Sequence, residues 1–312
     1  MANLFIGIDV SKDILDISCL ESTNLKYLKY DNTTLGLTKM IEYFNKSKKK
    51  IYVGLEATSI YHKLAADYLS VAGYNVYELN PYTVFNYKKY KRTYAKTDKI
   101  DSLSIVQYLK ENYEELPLYT VKTEDEKKLY VILTRINQLN KMKIQEINHK
   151  ESSLLVDKDT QKHIDFLDKK IKELKKKLNE IIKLKKNKVL KEKINIISKV
   201  PGIGFYTAVV ILINMSELGK MNRNQVVSLS GMAPFAEDSG KKRGKRRIRG
   251  GRKRVRDSLY MPSLTAIRIN AHFREVYDRL KQKGKIHNVI RIVIMKKMLI
   301  QANTLMKEYY NK

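Results

Sequence analysis

The chain has 312 residues, with 62 Lys and Arg against 33 Asp and Glu, a formal net charge of +29. A single cysteine, Cys19, excludes an intrachain disulfide and any cysteine-rich zinc site, and the five histidines show no ligand-like spacing. No secretory leader and no membrane-length apolar run is legible, so a cytoplasmic protein without membrane contacts is expected.

The positive charge is uneven. Residues 1–150 carry 23 basic and 18 acidic residues, net +5, whereas residues 151–312 carry 39 and 15, net +24. The second part is therefore expected to meet a polyanion, with nucleic acid the first candidate.

Leu4–Val10 reads as a buried strand carrying an acid, Asp9, near its end. Ile14–Leu20 and Leu25–Tyr30 read as two further strands, and Leu35–Phe44 has helical spacing. Lys50–Glu56 is again an apolar strand closing on an acid, Glu56, followed by a helix from about Ile60 to Val71 and a strand over Asn75–Pro81. Strands alternating with helices predict an α/β domain, in which sites form at the carboxyl ends of strands. Asp9 and Glu56 fall there.

Lys88, Lys89, Lys91 and Arg92 alternate with Tyr82, Tyr87, Tyr90 and Tyr94. The pattern suits a nucleic-acid backbone with stackable bases, and equally a solvated loop with half-buried tyrosines. Asp98 and Asp101 then open a helix for which Thr97 is the predicted N-cap. Their i, i+3 spacing puts both carboxylates on one helical face, where they need a compensating cation or solvent. Each acid alone has an ordinary structural reading. The four together, Asp9, Glu56, Asp98 and Asp101, are a donor set for Mg²⁺ or Mn²⁺ of the kind used in phosphoryl transfer.

From Glu124 to Leu190 the chain is long, polar and helical. Leu129, Ile132, Ile136 and Leu139, and then Ile164, Leu167, Ile171, Leu174, Leu178 and Ile181, repeat at three–four spacing. With a break near Ser152–Thr160 this predicts an antiparallel coiled-coil hairpin, and so narrow a stripe is expected to contact a second chain. Val200-Pro201-Gly202-Ile203-Gly204 resembles a helix-hairpin-helix turn, in which Gly202 and Gly204 would bring amide N–H groups to phosphate. Leu259–Ile267 and Val289–Met306 are apolar enough to be packed helices.

Ser239-Gly240 is followed by Lys241, Lys242, Arg243, Lys245, Arg246, Arg247, Arg249, Arg252, Lys253, Arg254 and Arg256, broken by Gly244, Gly250 and Gly251. Two readings fit. Ser239 is a nucleophile in a phosphate-binding surround, with glycines allowing close backbone approach; or the stretch is a disordered basic tail and Ser239 an ordinary turn residue.

The motifs as a set resemble the DEDD-type transposases of the insertion-sequence-110 family and their relatives, the Piv site-specific invertases. The resemblance rests on Gly7-Ile8-Asp9-Val10-Ser11-Lys12, Leu55-Glu56-Ala57-Thr58 with Tyr61, Asn80-Pro81, and Lys96-Thr97-Asp98-Lys99-Ile100-Asp101. It continues through Val200–Gly204, Gly231-Met232-Ala233-Pro234, Asp238-Ser239-Gly240, Arg243–Arg247 and Val255–Met261, and covers nearly the whole chain. Ser59 stands where glycine is usual and Ser102 where alanine is usual; neither departure removes a functional group.

The resemblance implies an α/β plus α chain in three parts. Residues 1–122 are expected to form a RuvC-like (RNase H-like) domain in which Asp9, Glu56, Asp98 and Asp101 hold Mg²⁺ or Mn²⁺. Residues 123–194 are expected to form the coiled-coil dimerisation region. Residues 195–312 are expected to form a small, mainly helical transposase domain with Ser239 as nucleophile. The implied partners are donor and target DNA, a guide (bridge) RNA from the element, and further copies of the chain as a homodimer or homotetramer. Two other functions stay open: a metal-dependent junction nuclease that uses water, and a non-catalytic nucleic-acid-binding scaffold.

Overall fold

The computed structural model describes residues 3–21, 24–57, 61–92, 95, 97–152, 157–236, 244 and 246–312. The chain forms two compact units, Met1–Val121 and Lys122–Lys312.

In the first unit, β1 (Asn3–Val10), β2 (Ile14–Glu21) and β3 (Asn24–Asp31) form an antiparallel meander, and β4 (Lys50–Glu56) and β5 (Asn75–Leu79) add parallel to β1. The strand order is β3-β2-β1-β4-β5. Because side chains alternate across a strand, the central strands bury both faces. Ile6, Ile8, Ile17, Val53 and Leu55 pack on one side with Leu37, Met40 and Phe44 of α1 (Thr34–Asn45) and with Ala65, Ala66 and Leu69 of α2 (His62–Val71). Phe5, Tyr52, Tyr77 and Leu79 pack on the other with Val84 of α3 (Pro81–Tyr90) and Ile105, Val106 and Leu109 of α4 (Asp98–Asn112).

The strand expected over Asn75–Pro81 ends at Leu79. Asn80 is instead the N-cap of α3, its side chain accepting from the Tyr82 N–H at 2.9 Å, and Pro81 is the first helical residue. Proline suits that position, because its missing N–H has no intrahelical partner there. The basic and aromatic stretch that follows is therefore helix as far as Tyr90, with Lys91 and Arg92 in a turn and Tyr94 outside the described residues. Thr97 caps α4 as expected, accepting from the Ile100 N–H at 3.3 Å.

Gly7 decides how closely α4 can lie on the sheet. A Cβ at Gly7 would stand 2.4 Å from the Ser102 carbonyl oxygen and 2.4 Å from the Val106 nitrogen. Both are backbone atoms of a packed helix, so neither can swing aside. Gly7→Ala is expected to cost about 1–3 kcal/mol of stability by overpacking, read as a lower urea midpoint at unchanged slope. An unchanged midpoint contradicts this close packing.

In the second unit, α5 (Glu124–Ser152) and α6 (Asp157–Lys183) run in opposite directions, as the pairs Lys143–Asp168, Glu146–His163 and Lys150–Asp157 show. Ile136 and Leu139 meet Leu167 and Ile171, while Leu129, Leu178 and Ile182 join the main core of this unit. The stripe expected to meet a second chain is thus buried within this one. The expected continuous helix to Leu190 breaks at a 3-10 turn, Lys185–Asn187, where the Asn187 side-chain amide donates to Asp125 and to the Ile181 carbonyl.

The remaining helices are α7 (Lys188–Ile197), α8 (Phe205–Asn214), α9 (Arg223–Leu229), α10 (Lys253–Ile269), α11 (Ala271–Gln282) and α12 (His287–Tyr310). A two-residue ladder pairs β6 (Pro234–Phe235) with β7 (Arg247–Ile248). No helix among the described residues is long and apolar enough to cross a membrane.

Candidate active site

Asp9 and Glu56 come from adjacent parallel strands. The register aligns Gly7 with Gly54, so the acids two residues further on leave the sheet side by side on the face covered by α4. The first turn of α4 brings Asp98 and Asp101 to the same end of that face, with Asp101 half-buried and Asp98 exposed. The absence of a Cβ at Gly7 allows α4 to sit low enough for this. The Ser102 hydroxyl is 2.8 Å from the Ser18 hydroxyl in the same interface.

The electrostatics couple these groups. Burial pushes the Asp9 carboxyl above its ordinary range, Asp101 and Asp98 push it further, Lys88 pulls it back, and Asp16 adds to the rise. Glu56 is also raised, first by burial; Lys88 opposes the rise while Asp9 and Asp101 add to it. The Lys88 ammonium lies 2.7 Å from Asp101 Oδ1, each side chain 18% exposed. The pair of like charges on α4 has therefore found its compensating cation within the protein.

Hard, negatively charged oxygens are the right donors for Mg²⁺ or Mn²⁺. Among the described residues, however, no three Asp, Glu, His or Cys side chains are grouped as they would be around one ion. The Lys88 ammonium already neutralises part of the charge at Asp101. The donor chemistry fits a divalent ion, with Lys88 standing in for part of its charge.

A carboxyl raised in the folded chain stabilises the fold while protonated, and that contribution is lost as pH rises through the raised value. For Asp9 and Glu56 it is complete below the ordinary values of 3.8 and 4.5 and disappears above their raised values. In EDTA, Asp9→Asn should match wild type in Tm at about pH 4 and exceed it at about pH 7. A Tm difference that does not change with pH contradicts this.

Two groups in this region escaped the sequence. Asp16 is 5% exposed and lies directly opposite Asp9 in the β1–β2 ladder, held by the Tyr27 hydroxyl and by Lys29 at 3.0 Å. The signal was present: a tight hairpin after Val10 sets Asp16 across from Asp9. Lys88 read as one of four similar basic residues, and only the phase of α3 separates them. Lys88 points at Asp101 and Lys91 at Glu111, whereas Lys89 is exposed and lies over the Phe85 ring. Tyr87 packs edge-on against Tyr108, and exposed Tyr82 and Tyr90 remain available for stacking.

The basic stretch sits in the second unit. Ser239, Gly240, Lys241, Lys242, Arg243 and Lys245 lie outside the described residues, as does Ser59. The segment containing Ser239 is bracketed by the paired strands β6 and β7. At the base of this bracket Gly231 and Gly251 have φ of 68° and 63°. A Cβ on Gly231 would stand 2.1 Å from the Gly250 oxygen, and one on Gly251 would stand 2.2 Å from the Gly231 nitrogen. These glycines let two backbone segments meet each other; of the glycines expected to allow close approach to a ligand, Gly251 meets protein backbone and Gly250 opens onto free space.

Several of the arginines are fasteners. Arg256 Nη1 donates to the Gly231 and Gly250 carbonyls at 3.0 and 2.9 Å, tying both sides of the bracket. Arg252 grips both oxygens of Glu217 and donates to the Asn214 carbonyl at 2.9 Å. Arg254 donates to Thr134 at 2.8 Å, and Lys253 pairs with Asp257. Arg249 stacks on Phe235, while Arg246 and Arg247 are exposed on the outer part of the bracket. In the turn between α7 and α8, a Cβ on Gly202 would meet the Pro262 carbonyl at 2.5 Å, so α10 packs there; Gly204 opens onto free space.

A transposase model of the DEDD insertion-sequence-110 type matches residues 6–157, and one described as "Transposase IS116/IS110/IS902 family" matches residues 194–278. The pilin gene-inverting protein of Moraxella bovis is 26% identical over 308 residues, covering 96% of this chain and 94% of that protein. The pilin gene-inverting protein of Moraxella lacunata matches with the same identity and coverage.

Proposed function

Since the chain belongs to the insertion-sequence-110 family of transposases, enzymes that recombine DNA, we propose that it cuts and rejoins DNA through a phosphoserine bond formed by Ser239 with divalent-metal help. The observation that carries the reading is the convergence of Asp9, Glu56 and Asp101 at one end of the sheet, with Lys88 among them. The strand order β3-β2-β1-β4-β5, with helices on both faces, supports a RuvC-like assignment for the first unit.

Asp9, Glu56, Asp98 and Asp101 would hold Mg²⁺ or Mn²⁺. When bound, the ion supplies Lewis-acid polarisation of the scissile phosphate. The Ser239 oxygen attacks phosphorus, one phosphorus–oxygen ester bond breaks, and the departing DNA end takes up a proton as the serine gives one up. The number of phosphodiester bonds is conserved, so reversal onto an exchanged end rejoins the strand without ATP. Gly231, Gly251 and Arg256 hold the base of the bracket that carries Ser239, and the basic residues on it neutralise DNA phosphates.

That both relatives are pilin gene-inverting proteins supports site-specific recombination between two DNA sites. Selection of those sites by a guide RNA, and assembly as a dimer or tetramer, complete the proposal. Its experiment is a denaturing gel of labelled DNA after reaction with the full chain and guide RNA. A protein–DNA adduct that depends on Mg²⁺ supports it, whereas hydrolysed nicks without adduct favour a water-using nuclease. Recombination indifferent to EDTA removes the role of the acids.

A further inference from the structure

Lys88 faces the acidic group for reasons fixed by its helix. Asn80 and Pro81 set where α3 begins, and Val84 is buried against α4. Lys88 lies one turn beyond Val84 and so emerges on the same side. Tyr87, packed on Tyr108, and Lys91, paired with Glu111, hold the helix in that phase. The packing of α3 thus places the ammonium 2.7 Å from Asp101.

We propose that Lys88 is a built-in competitor for the divalent ion, occupying Asp101 until the metal displaces it. The inference rests on the metal-binding reading of the four acids. A single positive charge serves Asp9, Glu56 and Asp101 together, which leaves the group short of neutral and open to a better cation. Binding the ion then requires Asp101 to be released, and the measured affinity falls by the fraction of molecules in which the lysine has let go. The group stays assembled without metal, and loading is confined to conditions that draw the ammonium away, such as the arrival of a DNA phosphate.

The test is Mn²⁺ binding to the full-length protein, followed by the electron paramagnetic resonance signal of free Mn²⁺. Wild type, Lys88→Met, Lys88→Arg and Asp9→Asn are compared, each checked for folding by thermal unfolding. Methionine keeps the aliphatic stem and removes the charge; Lys88→Gln replaces it if that variant does not fold. Lys88→Met should bind Mn²⁺ about tenfold more tightly than wild type, and Lys88→Arg no more tightly than wild type. Unchanged or weaker binding in Lys88→Met, with wild type binding and Asp9→Asn not binding, overturns the competitor role and leaves the metal site standing. Binding that Asp9→Asn does not alter, or none in any variant, overturns the site reading and this inference with it.

Discussion

Asp9→Asn is expected to abolish recombination while leaving the fold intact. Asp9 is half-buried, its carboxyl is pushed upward by burial and by Asp101, Asp98 and Asp16, and only Lys88 relieves it. Its ionised form is disfavoured in the folded chain, and the proposed divalent ion would relieve it. Asparagine keeps the shape and removes both the charge and a metal donor. Loss of several kcal/mol of transition-state stabilisation corresponds to a rate lower by roughly a thousandfold. Stability at neutral pH should hold or rise, because a repelled carboxylate has gone. Recombination of a supercoiled plasmid and urea unfolding of the same preparation check both halves. An active variant shows the acids to be structural, and an inactive but unfolded one leaves their catalytic role unsupported.

Ser239→Ala is expected to eliminate the covalent protein–DNA species and drive recombination below detection, with binding of RNA and DNA retained. The substitution deletes one hydroxyl. It leaves Arg246 and Arg247 exposed on the bracket and leaves the fasteners Arg252 and Arg256 on their protein acceptors. Phosphate contacts dominate nucleic-acid affinity, so affinity and its salt dependence should change little. A gel-shift titration read beside a denaturing gel separates the two effects. Residual recombination by this variant assigns the nucleophile elsewhere.

The contrast between these two residues shows what a sequence can carry. Asp9 and Glu56 were legible as acids near the ends of buried strands, each with an ordinary reading alone; that they stand side by side comes from the Gly7–Gly54 register, which the alternation within each strand does not fix. Thr97 was legible as a cap because N-capping is local chemistry. Lys88 was not, since its partner lies 13 residues away on another helix and its direction depends on the phase of α3. The helical nature of α3 was itself missed: Asn80-Pro81 reads both as the end of a strand and as a cap followed by a first helical proline. Asp16 was visible but unused, because only the hairpin register gives it a place beside Asp9.

The basic stretch was over-read in a particular way. Charge alone marks Arg252 and Arg256 as phosphate ligands, yet in the structure their guanidiniums meet Glu217 and backbone carbonyls. An arginine fork satisfies a carbonyl or carboxylate as well as a phosphate, and composition does not say which it meets. The same holds for Gly231 and Gly251, whose missing side chains make room for protein backbone. In α5 and α6, three–four spacing identified the buried face, whose Ile136, Leu139, Leu167 and Ile171 pack together within the chain.

The account stands most directly on the identity of the atom that joins DNA. Protein reacted with DNA and guide RNA in Mg²⁺, denatured, trimmed with nuclease and analysed by peptide mass spectrometry, should carry a phosphonucleotide on Ser239 and none when Asp9 is asparagine. Cleaved DNA with unmodified protein, or a nucleotide on any other side chain, contradicts it.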